Sequence, residues 1–225
     1  MMIDSYCYRV KVRCQRHLNG FYWAHPGLPI NQAFKMRKSK RETEETRKRI
    51  VEMAADEFRQ HGIAASGIAD LMAAVGLTHG GFYRHFESKE QLVAEATAAA
   101  LDTLLDTLAS AAAGKKGRNG LKAALAVYLC AEHRNNPRDG CPLAALGSEL
   151  ARSDKRVRDV ATTGFSRMVE ILAAHFDQAR PADARKRGMA IAAAMIGAVT
   201  MSRVLTDQKL SNSLLQAVEE SITRA

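Results

Sequence analysis

The sequence predicts an all-α fold: an N-terminal three-helix unit containing a helix-turn-helix, followed by a larger helical domain. Three observations carry this prediction. From residue 43 onward the chain is rich in Ala, Leu, Met, Glu, Lys and Arg, the residues that lose least on entering a helix. Apolar residues recur there at three- and four-residue spacing and do not alternate. Gly and Pro fall mostly between the periodic runs.

Residues 1 to 36 stand apart. They hold three of the five tyrosines and the only tryptophan, with no sustained apolar period. The expectation is a disordered leader, or a start site set too early with Met36 as the natural first residue. The first helix follows, with Ile50, Ala54 and Phe58 stacked on one face and Gly62 placed to end it in the left-handed conformation. Ser66 is expected to cap a second helix whose apolar face is Ile68, Leu71, Met72 and Val75. Gly76 makes the turn, Leu77 plugs the small core and Thr78 caps a short third helix. Ser88 and Gln91 have capping-box spacing and open a long helix through about Ala112. The run Ala113-Gly114-Lys115-Lys116-Gly117 breaks it. Further helices are expected near 119–135, 141–152, 154–178, 182–206 and 210–223. Three domains result: leader 1–36, helix-turn-helix domain 37–92 and helical domain 93–225.

The bulk numbers narrow the function classes. A chain of 225 residues that is 47% hydrophobic can bury a sizeable core. Its net charge of +9 favours an anionic partner, although a solvated basic surface explains the charge equally well. No apolar run approaches the roughly 18 to 20 residues of a membrane span, and Arg9, Lys11, Arg13 and Arg16 interrupt any signal-peptide core. A soluble, cytoplasmic protein without membrane partners is therefore expected. Cys7, Cys14, Cys130 and Cys141 form no disulfide framework and no C-x-x-C pair. Cys7, Cys14 and His17 are one ligand short of a metal site, so neither metal nor cofactor is expected.

Two short helices joined by a Gly turn lay a recognition helix in the DNA major groove, but the same shape occurs in ordinary cores. The third helix carries more. Thr78, His79, Gly80, Gly81, Tyr83, Arg84 and His85 put hydrogen-bonding groups and bare backbone on one short element. Adjacent glycines cost about 1 kcal/mol each inside a helix, and close approach to another surface is one reason to keep them. Phe82 and Phe86, four apart, are expected to face the core and leave Tyr83 outward.

The segments Ser66-Gly67-Ile68-Ala69-Asp70-Leu71, Gly76-Leu77-Thr78-His79-Gly80-Gly81-Phe82-Tyr83-Arg84-His85-Phe86 and Ser88-Lys89-Glu90-Gln91-Leu92 closely resemble the DNA-binding domain of TetR-family (TetR/AcrR-type) repressors. The resemblance implies a homodimeric transcriptional regulator that binds a palindromic double-stranded operator and releases it when an unknown small-molecule effector enters the second domain. It further implies Thr78 and Tyr83 as phosphate and sugar clamps, Ser66 as a cap that also meets a phosphate, and Lys89 as a phosphate contact at a helix start. His79, Gly80, Gly81, Arg84 and His85 then face the bases. His79 stands where the family often has a longer cation and Gly81 where it often has a side chain, so the bases read stay open. The run Arg37-Lys38-Ser39-Lys40-Arg41 resembles the family's basic arm. Residues 183 to 224 resemble its last two helices, which form a four-helix bundle with their symmetry mates. There Ala190, Ala193, Ala194, Gly197 and Ala198 permit close packing and Met189, Ile196, Val199 and Leu205 supply apolar area, although an intramolecular core would use the same residues.

Asp139-Gly140-Cys141-Pro142-Leu143 resembles a Gly-Cys step in members that sense electrophiles or oxidants. At a helix start the dipole can lower a thiol pKa, so an alternative reading is a thiol-sensing repressor acting through Cys141. Without thiol sensing, an apolar ligand is expected near Tyr128, Phe165 and Met168. Cys130 reads as plain core. Glu132, His133, Asp139 and Cys141 are close in sequence, but nothing places a third group or an oxyanion site, so no catalysis is expected. A non-DNA-binding helical adaptor is the remaining class; it leaves the glycine pair and the Thr78, Tyr83, Lys89 set without a purpose.

Overall fold

The computed structural model describes residues 40–176 and 179–224, and over these it is all-helical with no strand. The leader, Cys7, Cys14, His17 and Arg37 to Ser39 lie outside the described residues. Among the described residues no helix is long and apolar enough to cross a membrane.

Helix α1 (Lys40–His61) ends where Gly62 takes φ 89° and its N–H bonds back to the Phe58 carbonyl at 2.8 Å. Helix α2 (Ile68–Ala74) ends at Val75, and Gly76 turns the chain with φ 74°. The third element, His79–Arg84, is a 3-10 helix and not an α-helix. A six-residue segment with two glycines has little propensity to hold the wider α geometry. Helix α3 (Lys89–Ala112) begins where Ser88 accepts from the Gln91 N–H at 3.2 Å. The return bond differs from a standard capping box: Gln91 Oε1 accepts from the Glu87 N–H, one residue earlier than the cap.

Six more α-helices complete the described chain: α4 (Gly117–Tyr128), α5 (Ala131–Asn135), α6 (Pro142–Leu150), α7 (Lys155–Ala173), α8 (Pro181–Val204) and α9 (Gln208–Arg224). A second 3-10 helix, Pro137–Asp139, joins α5 to α6. The helix expected over 119–135 is in fact two. The chain breaks at Leu129 and Cys130, where the Cys130 sulfur caps α5 by accepting from the His133 N–H at 3.4 Å. Cys130 is therefore half-buried capping chemistry and not plain core.

Two apolar clusters organise the protein. The first packs Ile50, Ala54, Phe58, Leu71, Met72, Phe82 and Phe86 against Leu92 to Ala100 of α3, and takes in Leu146, Leu150 and Val157 from α6 and α7. The second gathers Leu104, Leu105 and Leu108 of the same α3 with α4, α7, α8 and Leu215 of α9. Helix α3 thus runs straight across residues 92 and 93 and serves both cores. Helices α7 and α8 cross closely, since a Cβ on Gly188 would lie 2.7 Å from the Val169 carbonyl oxygen.

Candidate nucleic-acid interface

The turn from α2 into the first 3-10 helix is built by its own backbone. Leu77 N–H bonds to Met72 O at 2.8 Å and Gly81 N–H to Thr78 O at 2.9 Å. Phe82 and Phe86 are 0% and 2% exposed and stack with ring centroids 5.4 Å apart. Each such burial is worth about 1.5–3 kcal/mol, enough to fasten a short helix that would not persist alone. The opposite side is solvent. Tyr83 is 63% exposed, resting edge-on against Phe82 and His79.

Thr78, His79, Gly80 and Arg84 are exposed beside it, so this short stretch holds most of the expected set at the surface. Thr78 occupies the cap position with extended backbone, but its hydroxyl makes no cap bond. Gly80 has nothing within 4 Å of where a Cβ would sit, and Gly81 meets only Met72 and Thr78 at ordinary contact distance. No contact inside the protein requires glycine at 80. His85 differs from expectation. It closes the 3-10 helix, is half-buried, and has its carbonyl engaged by Arg47 Nε at 3.2 Å.

Ser66 departs from its expected role as the α2 cap, and Lys89 has a partner inside the protein. Ser66 is 4% exposed and donates its hydroxyl to the Gly62 carbonyl at 2.7 Å; α2 is preceded by Gly67 with no side-chain cap. The serine side chain closes the α1–α2 loop instead of capping α2, and it is turned away from solvent. Lys89 does stand at a helix start, but its ammonium donates to Ile63 O at 2.6 Å. Glu149 of α6 braces the same loop by accepting from the Ala64 N–H at 2.9 Å. Long-range loop bracing of this kind has no periodic signature, so the sequence carried no sign of it.

The second domain does not favour the thiol expectation. Cys141 does occupy the N-cap position of α6, but it is 0% exposed, and burial pushes its thiol pKa up, outweighing the lowering from Tyr128, the α6 N–H groups and Arg203. The helix start alone suggested a lowered pKa; desolvation wins because the sulfur has no water. His133 is no base for it. Its Nε2 accepts from the Cys141 backbone N–H at 2.9 Å while Nδ1 donates to Tyr128 O at 2.6 Å. Tyr128 and Met168 are fully buried in the second core with Phe165 packed partly against it. The Tyr128 hydroxyl has no well-formed partner, and the Cys141 thiol lies within electrostatic range of it. Among the described residues no cluster of His, Cys, Asp and Glu could hold a metal.

Residues 50–96 match the model for bacterial regulatory proteins of the tetR family, and residues 119–220 match the C-terminal domain of LmrA/YxaF-like transcriptional regulators. The HTH-type transcriptional regulator TtgR of Pseudomonas putida is 39% identical over 72 residues, which is 32% of this chain and 32% of that protein. The regulator AcrR of Shigella flexneri is 37% identical over 59 residues, 26% and 27% of the two chains. The chain thus aligns with about a third or less of these curated relatives. A TetR transcriptional regulator from Chloroflexus aurantiacus superposes with a TM-score of 0.70 at 30% identity, covering 82% of this chain and 95% of that one. Reduced Escherichia coli NemR, 16% identical with a TM-score of 0.66 over 79% and 95% of the chains, shares the fold.

Proposed function

The chain belongs to the TetR family of bacterial regulatory proteins, and from that premise we propose a repressor that grips a palindromic operator as a homodimer and lets go when a small molecule enters its second domain. The observation that carries DNA reading is the first 3-10 helix. Its inward phenylalanines fix it, its outward face bears Thr78, His79, Tyr83 and Arg84, and its glycine at 80 is required by nothing within the protein. Bare backbone at 80 and 81 lets the helix approach a groove closely. In this reading the Thr78 and Tyr83 hydroxyls hold phosphates and fix the register, while His79 and Arg84 reach base edges, with His85 at the margin. Lys89 retains protons beyond its bond to Ile63 and can meet a phosphate as well.

Dimerisation rests on α8. From Gly188 to Val199 its sequence is apolar all round, yet only one face is covered: Ile191, Ala192, Met195, Ala198 and Val199 are buried, while Met189, Ala190, Ala193, Ala194 and Gly197, with Met201 and Val204 beyond them, are exposed. A second copy packing on this stripe of small residues would cover it. The effector site is assigned to Tyr128, Phe165 and Met168, where the buried Tyr128 hydroxyl, beside the Cys141 thiol, would gain a stronger partner in a polar group on an otherwise apolar ligand.

Fluorescence anisotropy with the duplex upstream of its own coding sequence tests the reading. Wild type is expected to prefer that duplex over a random one. Tyr83→Phe should weaken both by about 1 kcal/mol, roughly fivefold, because a phosphate contact carries no sequence information. Arg84→Ala should instead narrow the difference between them. Equal, weak binding of wild type to both duplexes would overturn the proposal.

A further inference from the structure

Behind the exposed face lies a group of side chains that fastens the end of the 3-10 helix. Arg47 of α1 sets its guanidinium 4.6 Å from the Phe86 ring centroid and donates through Nε to the His85 carbonyl. Its two terminal nitrogens grip the Glu95 carboxylate of α3 in a two-pronged pair, Nη2 to Oε1 at 2.5 Å and Nη1 to Oε2. Gln91 holds Glu95 from the other side at 3.0 Å and reaches back to the Glu87 N–H. One guanidinium therefore ties α1, α3 and the closing residue of the 3-10 helix together, with all three nitrogens engaged inside the protein.

Stability is not the main effect to expect of this arrangement. The two side chains are 34% and 32% exposed, and ion pairs so solvated contribute little. Phe82 and Phe86 already hold the helix down by burial. What they leave open is its slide and rotation, because a 3-10 helix with adjacent glycines is internally soft. A planar fork bonded to the backbone at His85 removes that freedom, and base-edge contacts need positioning within about 0.5 Å.

We propose that Arg47 and Glu95 are positioning residues for sequence reading: the pair sets the orientation of the 3-10 helix that base edges sense, without itself touching DNA. The proposal rests on the DNA-reading function above. Charge alone makes the opposite forecast for one of the two residues. Removing the Arg47 charge would weaken attraction to phosphates, whereas removing the Glu95 charge would strengthen it. Positioning requires both changes to harm specific binding.

The test uses the full chain and two probes, a duplex enriched from a randomised pool by the wild type and a random duplex of equal length. Glu95→Gln, which keeps size and hydrogen bonding, is expected to weaken the enriched duplex about 10-fold or more while binding the random duplex at least as tightly as wild type. Arg47→Met should lower affinity for the enriched duplex by a similar factor and for the random one by less than about 3-fold, and Arg47→Lys should restore little, since an ammonium cannot make the fork. Proportional losses on both duplexes, or Glu95→Gln binding the enriched duplex as wild type does, would overturn the proposal. Should Arg47→Met fail to fold, Glu95→Gln decides alone. A wild type that enriches no duplex refutes DNA reading itself, a different result from wild-type enrichment with indifferent variants.

Discussion

His133 shows how a single buried ring stitches three elements together. Its Nδ1 bonds the last residue of α4, its Nε2 receives the N–H at the start of α6, and its own carbonyl accepts from Arg203 of α8 at 2.9 Å. Only the neutral ring can accept from Cys141. Burial lowers its pKa, the Tyr128 carbonyl opposes that, and the Arg203 charge lowers it further. The unfolded ring titrates near its ordinary value, about 6.5, so below that pH the unfolded state binds more protons than the folded one. The contribution of the neutral ring is therefore complete above about pH 6.5 and declines as pH falls through the depressed folded pKa. Thermal melts between pH 7.5 and 5 should show wild-type Tm falling more steeply than that of His133→Gln, with about 2–4 °C for each kcal/mol lost in a chain of this size. Parallel curves would remove His133 from the acid response.

At the scale of elements, the α7–α8 crossing depends on a missing side chain. A Cβ on Gly188 would lie 2.7 Å from the Val169 carbonyl oxygen, closer than real Cβ contacts come, and 3.3 Å from the Ala173 N, a tight contact; neither is a flexible side chain that yields easily. Gly188→Ala should cost about 1–3 kcal/mol through forced separation of the helices, despite the better helix propensity of alanine. Gly197, on the same helix, has nothing within 4 Å, so Gly197→Ala should leave the protomer no less stable. Chemical denaturation of the two variants, followed by circular dichroism at protein concentrations where the chain is monomeric, distinguishes them; equal effects would mean the crossing relaxes. The elements themselves were largely legible in sequence. The helix starts at Ser88 and ends at Gly62 and Gly76 follow from local chemistry, whereas the break at Cys130 and the 3-10 form of His79–Arg84 depend on neighbours.

For the whole molecule, α8 has two duties. It supplies the second core with one face and leaves the other for the proposed partner, so removing it to test dimerisation would remove the core as well. A charge on the outer face is the cleaner test. Ala194→Glu should keep the protomer's helicity and yield a monomer in sedimentation, with affinity for a palindromic duplex lost far more than affinity for a half-site, because linked heads no longer share one binding event. A stable dimer of this variant would move the interface elsewhere. Ties between head and second domain run through α6 and the second 3-10 helix: Glu149 to Ala64, Arg59 Nε to Arg138 O at 2.5 Å, and Arg138 to Asp56 at 2.9 Å.

Sequence alone determined what depends on near neighbours: the all-α class, the Gly turns, and the inward Phe82 and Phe86 with Tyr83 outward. Those follow from a helix period, backbone sterics and side-chain size. Tertiary structure decided what depends on dielectric and distant partners. Cys141 had the right place for an acidic thiol, but residues far along the chain exclude water from it, and desolvation outweighs a helix terminus. Ser66 and Lys89 satisfy carbonyls of a loop whose position only folding sets. Arg47 and Glu95 meet across 48 residues, a pairing that no local spacing encodes.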